Sequence, residues 1–166
     1  MSMFAQPADA DFYASLPRKR MAAGLLLRDG AGRALLVRPR YKSNWEIPGG
    51  VVEADESPRA AVLREIDEEL GLSRIPGRLL AVDWVPPHGA RTEGLMLVFD
   101  GGTLTPDEIA AIRVASDELH GYEFCTPQRA EQRLSALLAR RLHACLHACA
   151  TATVAYLEDG NAVPAG

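Results

Sequence analysis

The chain has 166 residues, 48% of them hydrophobic, with 18 basic and 22 acidic side chains and a formal net charge of −4. That length and apolar content suit one folded domain over residues 1–166 and argue against disorder. The mildly acidic balance lacks the positive footprint of a protein that binds polymeric nucleic acid, but it leaves small anionic substrates open where a cation or a local basic patch receives them. No apolar run is long enough to span a membrane, so no membrane association is expected. The N-terminal "MSMFAQPADADFYASLPRKR" lacks the charged-then-apolar order of a signal peptide. Cys125, Cys145 and Cys149 give an odd count without framework spacing, which points to packed thiols in a reduced, cytoplasmic protein.

Residues 1–17 read as an extension with one helical turn at "ADADFYASL". From Lys19, "MAAGLLL" reads as a strand, "RDGAG" as a turn and "RALLVRP" as a second strand, so the pair resembles a hairpin. "NWEIPGGVVEADES" is rich in loop residues and carries Pro48, Gly49 and Gly50. Ser57 offers an N-cap and Pro58 a first helical position; helical periodicity then runs to Leu70, and Gly71 supplies the stop. "GRLLAVDWVPP" and "GLMLVFDGG" read as strands, "TPDEIAAI" as a short helix start, and "RVASDELHGYEFC" as a mixed segment with a strand near its end. From Pro127 to about Cys149 the pattern predicts one long amphipathic helix, and "TVAYLEDG" a last strand or a helix tail.

The helix over 58–70 raises an electrostatic problem. On a wheel of about 100° per residue, Val62, Leu63, Ile66 and Leu70 share one side, while Glu65, Glu68 and Glu69 share another. Asp67 points elsewhere, to solvent. Like charges at this spacing repel, and they lie near a helix C-terminus where the macrodipole is already negative. Each penalty is a few tenths to about 1 kcal/mol, and Arg64 is the only local offset. A hard divalent cation reverses the sign, since carboxylate oxygens are the ligands that Mg²⁺ or Mn²⁺ prefers.

From Gly50 to Leu72 the chain reads "GVVEADESPRAAVLREIDEELGL". This segment is similar to the Nudix box, Gly-x5-Glu-x7-Arg-Glu-aliphatic-x-Glu-Glu-x-Gly-aliphatic. Gly50, Glu56, Arg64, Glu65, Ile66, Glu68, Glu69, Gly71 and Leu72 meet every fixed position, and the preceding "WEIPGG" resembles the family's usual approach to the box. The box covers a small part of the chain, but the strand order around it is compatible with the whole fold. The resemblance implies an α/β/α sandwich with a mixed sheet. It also implies metal-dependent hydrolysis of a nucleoside diphosphate linked to another group, with Mg²⁺ as the cofactor and Mn²⁺ as the alternative.

On the same resemblance, Glu65, Glu68 and Glu69 are metal ligands, and the Gly50 carbonyl is a further one. Arg64 would orient the glutamates through its rigid fork. Glu56 either pairs with Arg64 or reaches the metal through water. Ile66 and Leu72 belong to the core. The general base is Glu68 or Glu69 acting through water, or a loop acid, for which Glu118 is the candidate ahead of Glu93 and Glu123.

The group attached to the diphosphate is less legible. Pro86 and Pro87 resemble a marker of ADP-ribose pyrophosphatases, but prolines also simply end strands. Arg38, Arg40, Lys42 and Arg91 are candidates for phosphate contacts; Trp45 and Trp84 are candidates for base stacking or for packing. The longer motif of the coenzyme A subgroup is not visible. His143 and His147 are offset by two positions from Cys145 and Cys149, so the four cannot converge on zinc from one helix. The expected partner is a small nucleotide: ADP-ribose or a similar sugar nucleotide first, an ordinary or oxidised nucleoside triphosphate second. A homodimer stays open as the assembly. A nucleotide-sensing module that has lost turnover is the rival, and the intact box argues against it.

Overall fold

The computed structural model describes residues 7–164. Its elements are α1 (Pro7–Ser15), β1 (Arg20–Arg28), β2 (Ala34–Pro39), β3 (Gly49–Val51), α2 (Pro58–Leu70), β4 (Leu79–Val85), β5 (Gly94–Thr103), α3 (Pro106–Ala111), β6 (Leu119–Cys125), α4 (Pro127–Arg133), α5 (Ala136–Thr151), β7 (Ala155–Glu158) and β8 (Asn161–Ala162). The strands form one mixed sheet in the order β6-β2-β1-β5-β4-β7-β8, with β3 branching onto β1. β1 runs parallel to β5, and β4 parallel to β7; the remaining pairs are antiparallel.

Side-chain alternation along β1 and β2 splits the core between the two faces. Leu25, Leu27, Leu35 and Val37 meet Val62, Ile66 and Leu70 of α2 on one face. Leu26, Ala34 and Leu36 meet Leu142, Cys145 and Ala148 of α5 on the other. Helices on both faces of a mixed sheet make the α/β/α sandwich that was expected. Cys125 and Cys145 are buried as free thiols and Cys149 is half-buried.

Four details differ from the sequence reading. Within the segment read as loop, Gly49–Val51 forms β3: Ala22, Ala23 and Gly24 pair with Val51, Gly50 and Gly49. The expected β1–β2 hairpin keeps a single register pair, Arg28 with Ala34, because β3 and β5 occupy most of β1. The long helix from Pro127 is two helices. Leu134 is extended (φ −89°, ψ 156°), and Ser135 caps α5 through its side chain, which accepts from the Leu138 N–H. Apolar periodicity continues across the break, which hid it. Finally, Leu63 is 39% exposed, whereas Ile66 and Leu70 are fully buried, so the apolar stripe of α2 is narrower than the wheel suggests.

These burial differences set unequal costs for truncation. Ile66→Ala should destabilise by about 2–5 kcal/mol, the usual range for an emptied core site. Leu63→Ala should stay within about 0.5–1 kcal/mol, as for exposed sites. Chemical denaturation of both variants measures the contrast.

Candidate active site

The site is built where β3 passes between β1 and the last turns of α2. Ser57 caps α2 by accepting from the Ala60 N–H, and Gly71 closes the helix in the left-handed region (φ 63°), its N–H bonding Asp67 O at 2.8 Å. This phase turns Glu65 and Glu69 inward toward β3 and leaves Glu68 half-exposed and Asp67 in solvent.

Glu69 is only 6% exposed, and its Oε2 accepts from the Gly49 N–H at 2.9 Å. Its carboxyl is pushed up to about 8, first by burial and then by the charges of Glu65, Glu46 and Glu118; the Gly49 N–H opposes the shift. Glu65 is also raised, mainly by burial, with Glu68 and Glu118 adding to the effect and Arg64 opposing it. Beside Gly50 there is no room for a side chain. A Cβ there would stand 2.4 Å from the Glu65 carboxylate, so glycine is needed for this approach.

Arg64 gathers the neighbouring carboxylates. Its Nε and Nη2 donate to Glu56 Oε1 and Oε2 at 2.9 and 3.0 Å, and Nη2 also donates to Val51 O at 3.1 Å. Nη1 donates to Glu65 Oε1 at 2.8 Å and to Glu68 Oε2 at 3.1 Å. Glu56 is thereby held below the usual carboxylate range, chiefly by Arg64 and then by the Glu53 N–H. Arg64 thus ties the 52–57 loop to α2 and orients two of the clustered acids.

The segment carrying Glu118 hangs from the end of α2. Arg113 N–H donates to Leu70 O at 2.8 Å, Ala115 N–H to Glu69 O at 3.0 Å, and Arg40 N–H to Glu118 O at 2.9 Å. Backbone bonds therefore hold this loop against the cluster, although it has no sequence motif of its own. Sequence reasoning missed Glu46. It bridges to Val37 across the sheet, accepts from the Tyr41 hydroxyl at 3.2 Å, pairs with Lys42, and raises Glu69 through its charge. Its place in "WEIPGG" was the available signal. The Tyr41 ring is largely exposed, yet its hydroxyl is pushed up to about 12 by partial desolvation and by Glu46, with Glu69 and Glu65 contributing.

Other candidates lie apart from the cluster or are engaged elsewhere. Trp45 packs on the α5 face with the Arg133 guanidinium 4.8 Å from its ring. Trp84 Nε1 donates to Glu93 Oε2 at 2.8 Å, and Glu93 also pairs with Lys19. Glu123 pairs with Arg129 and Arg133. Arg91 is exposed in the turn between β4 and β5, paired with His88 through backbone. Arg38 is exposed on β2, and Arg40 Nε donates to Ser116 O. His143 and His147 are exposed while Cys145 is buried.

The donor set fits a hard divalent cation in its chemistry: acid side chains, a partly exposed glycine backbone, and raised carboxyl pKa values that a cation would relieve. Among the described residues, however, no three acid, His or Cys side chains already converge as a metal cluster. Arg64 accounts for this, because it engages Glu65 and Glu68, while Glu69 is turned to Gly49. A cation would draw Glu65 and Glu68 away from one guanidinium.

A mixed-sheet sandwich with this acid-rich helix end beside a glycine strand is the arrangement that the resemblance to the Nudix box implied. The NUDIX domain model matches residues 18–145. A MutT-like protein of Streptomyces ambofaciens is 32% identical over 125 residues, 72% of this chain and 71% of that protein. An RNA pyrophosphohydrolase of Pseudomonas fluorescens (strain SBW25) is 37% identical over 62 residues, 37% of this chain and 39% of that enzyme's length. Among solved structures, the MutT protein from Methanosarcina mazei Go1 superposes with a TM-score of 0.61 at 28% identity, covering 74% of this chain and 89% of that one. The chain belongs to the Nudix family and is a Nudix pyrophosphohydrolase.

Burial of Glu69 has a consequence for stability in the absence of metal. An ordinary glutamate loses its proton near 4.5, and this one near 8. Between these values the folded protein holds a proton that the unfolded chain has released, so stability should fall as pH rises through that window. In chelator, the wild-type melting temperature should drop between pH 5 and pH 8, and Glu69→Gln should flatten the drop. Thermal melts at matched ionic strength measure both.

Proposed function

We propose that residues 1–166 form a single Nudix domain that hydrolyses the pyrophosphate bond of a nucleoside diphosphate linked to another group, with Mg²⁺ or Mn²⁺ as cofactor. The observation that carries this reading is the buried Glu69 carboxyl, raised to about 8 and flanked by the charges of Glu65, Glu46 and Glu118. Glu65, Glu68 and Glu69, with the Gly50 carbonyl, would hold the cation. When bound, a divalent ion neutralises the anhydride and lowers the pKa of coordinated water. Arg64 positions Glu65 and Glu68, and Glu56 anchors Arg64. Glu69 is our choice for the group that takes the proton of the attacking water, with Glu118 assisting from the loop tied to the end of α2. The three free thiols suit a reducing compartment such as the cytoplasm, and no described helix is long and apolar enough to cross a membrane.

The attached group follows from weaker signals. Pro86 and Pro87 come directly after β4, so ending that strand accounts for them without a substrate role. A nucleoside triphosphate is the second reading, favoured by the small cleft beside Gly49 and Gly50.

A substrate panel with Mg²⁺, covering nucleotide sugars and nucleoside triphosphates, should show turnover in the wild type. Positioned acid–base groups contribute about 10²–10⁴ in rate, so Glu69→Gln should lose at least the lower end of that range with its fold intact. Glu118→Gln should lose less than Glu69→Gln. Millimolar Mg²⁺ should raise the wild-type melting temperature, and the increase should shrink in Glu68→Gln. Equal turnover in wild type and Glu69→Gln on a cleaved substrate contradicts the assigned role.

A further inference from the structure

A cleft opens on the α5 face of the sheet beside the carboxylate cluster. Gly49 and Gly50 line it together with Gly24, Glu46, Ile47, Met96, Leu138 and Arg141, among others. Arg141 is unusual there. It lies on α5, is 8% exposed, and its Nε donates to Asp83 Oδ2 at 2.8 Å. Asp83 is itself fully buried, and its other oxygen accepts from the Gly160 N–H at 3.0 Å. Two interactions thus fix the carboxylate, and the carboxylate fixes the guanidinium.

The remaining donors of Arg141, on Nη1 and Nη2, have no hydrogen-bond partner among the described residues. They are also absent from the buried atoms left unpaired, which are Arg28 Nε and Arg140 Nε. Solvent therefore reaches them, and for a side chain this buried the opening is the cleft that it lines. Water can satisfy these donors in the free protein, and a ligand in the cleft that supplies acceptors would take its place on a guanidinium already held in position.

The kind of acceptor follows from charge and shape. Asp83 already balances the Arg141 charge and Lys42 balances Glu46, so the described lining of the cleft offers no free positive charge. A phosphate there would bring negative charge without a counter-ion. A neutral pair of adjacent acceptors would instead gain charge-assisted hydrogen bonds at no such cost. The lining of Gly24, Ile47, Met96 and Leu138 is apolar, as suits a flat ring. Guanine presents two adjacent acceptors, O6 and N7, whereas adenine presents N7 beside an amino donor.

Resting on the hydrolase reading above for what sits at the glutamates, we propose that Arg141, held by Asp83, is the specificity-determining residue of this cleft and selects a guanine base over adenine on the substrate. Asp83 is a positioning residue that acts through Arg141.

The test is equilibrium binding of GMP and AMP by calorimetry, alongside kcat/KM for GTP, ATP, GDP-mannose and ADP-ribose with Mg²⁺. Wild type should prefer the guanine compounds roughly tenfold to a hundredfold, the discrimination that a bidentate guanidinium supplies, and the preference should lie in KM. Arg141→Lys keeps the charge beside Asp83 but loses the fork, so the preference should shrink to within about threefold while adenine binding stays nearly constant. Asp83→Asn keeps an acceptor for the Gly160 N–H but turns its amide N–H toward Arg141 Nε, so it should release the fork and lower the preference as well, which gives a second variant if Arg141→Lys folds poorly. Equal wild-type affinity for GMP and AMP overturns the proposal, as does an undiminished preference in Arg141→Lys. An equal loss of all four substrates and of inorganic phosphate in that variant also overturns it, since Arg141 would then read phosphate. Selective GMP binding without turnover of any substrate sinks the hydrolase reading and leaves the role of Arg141 standing.

Discussion

The site depends on one steric constraint, the passage of β3 between β1 and α2. At Gly49 the backbone adopts φ 141°, and a Cβ would fall 2.2 Å from the Ala23 carbonyl oxygen. At Gly50 a Cβ would overlap the Glu65 carboxylate. One glycine lets the strand pair with β1, and the next lets α2 come close from the other side. The Gly49 N–H is then aimed at Glu69, and the cluster acquires its buried member. A side chain at Gly49 would push β3 off β1, and one at Gly50 would push Glu65 and α2 away; either would disperse the carboxylate cluster.

Electrostatics then works against the fold locally. Glu65, Glu46 and Glu118 all act on Glu69, Glu68 and Glu118 act on Glu65, and burial raises Glu65 and Glu69 most of all. Arg64 relieves part of this strain and also binds the preceding loop through Glu56 and Val51. The hydrophobic contacts of Val62, Ile66 and Leu70 hold α2 in place regardless. Apolar burial of about 1.5–3 kcal/mol per large side chain outweighs like-charge repulsion of a few tenths of a kcal/mol per pair. A helix can therefore carry a charge cluster that is unfavourable on its own.

Much of this was legible in the sequence. The caps Ser57 and Gly71 gave the bounds of α2, because each acts on backbone within a few residues. The spacing of Glu65, Glu68 and Glu69 gave a shared side, although spacing could not say that Glu69 is buried and Glu68 half-exposed; that is decided by β3. The strand at Gly49–Val51 was hidden because glycines ordinarily signal turns, and here they serve close approach. The break at Leu134 was hidden because Leu134 and Leu138 keep the apolar period across it. Asp83 and Arg141 meet only through a tertiary contact between distant segments, so no local pattern marks them, whereas Glu46 lay inside the "WEIPGG" approach to the box.

The central claim is that Glu69 is held protonated by burial until a cation replaces the proton. Calorimetric titration with Mn²⁺ at pH 7, in two buffers of different ionisation enthalpy, counts the protons released on binding. With a carboxyl near 8, the wild type should release close to one proton per cation, and Glu69→Gln almost none. Binding that releases no protons in the wild type, or releases the same number in Glu69→Gln, would contradict the claim.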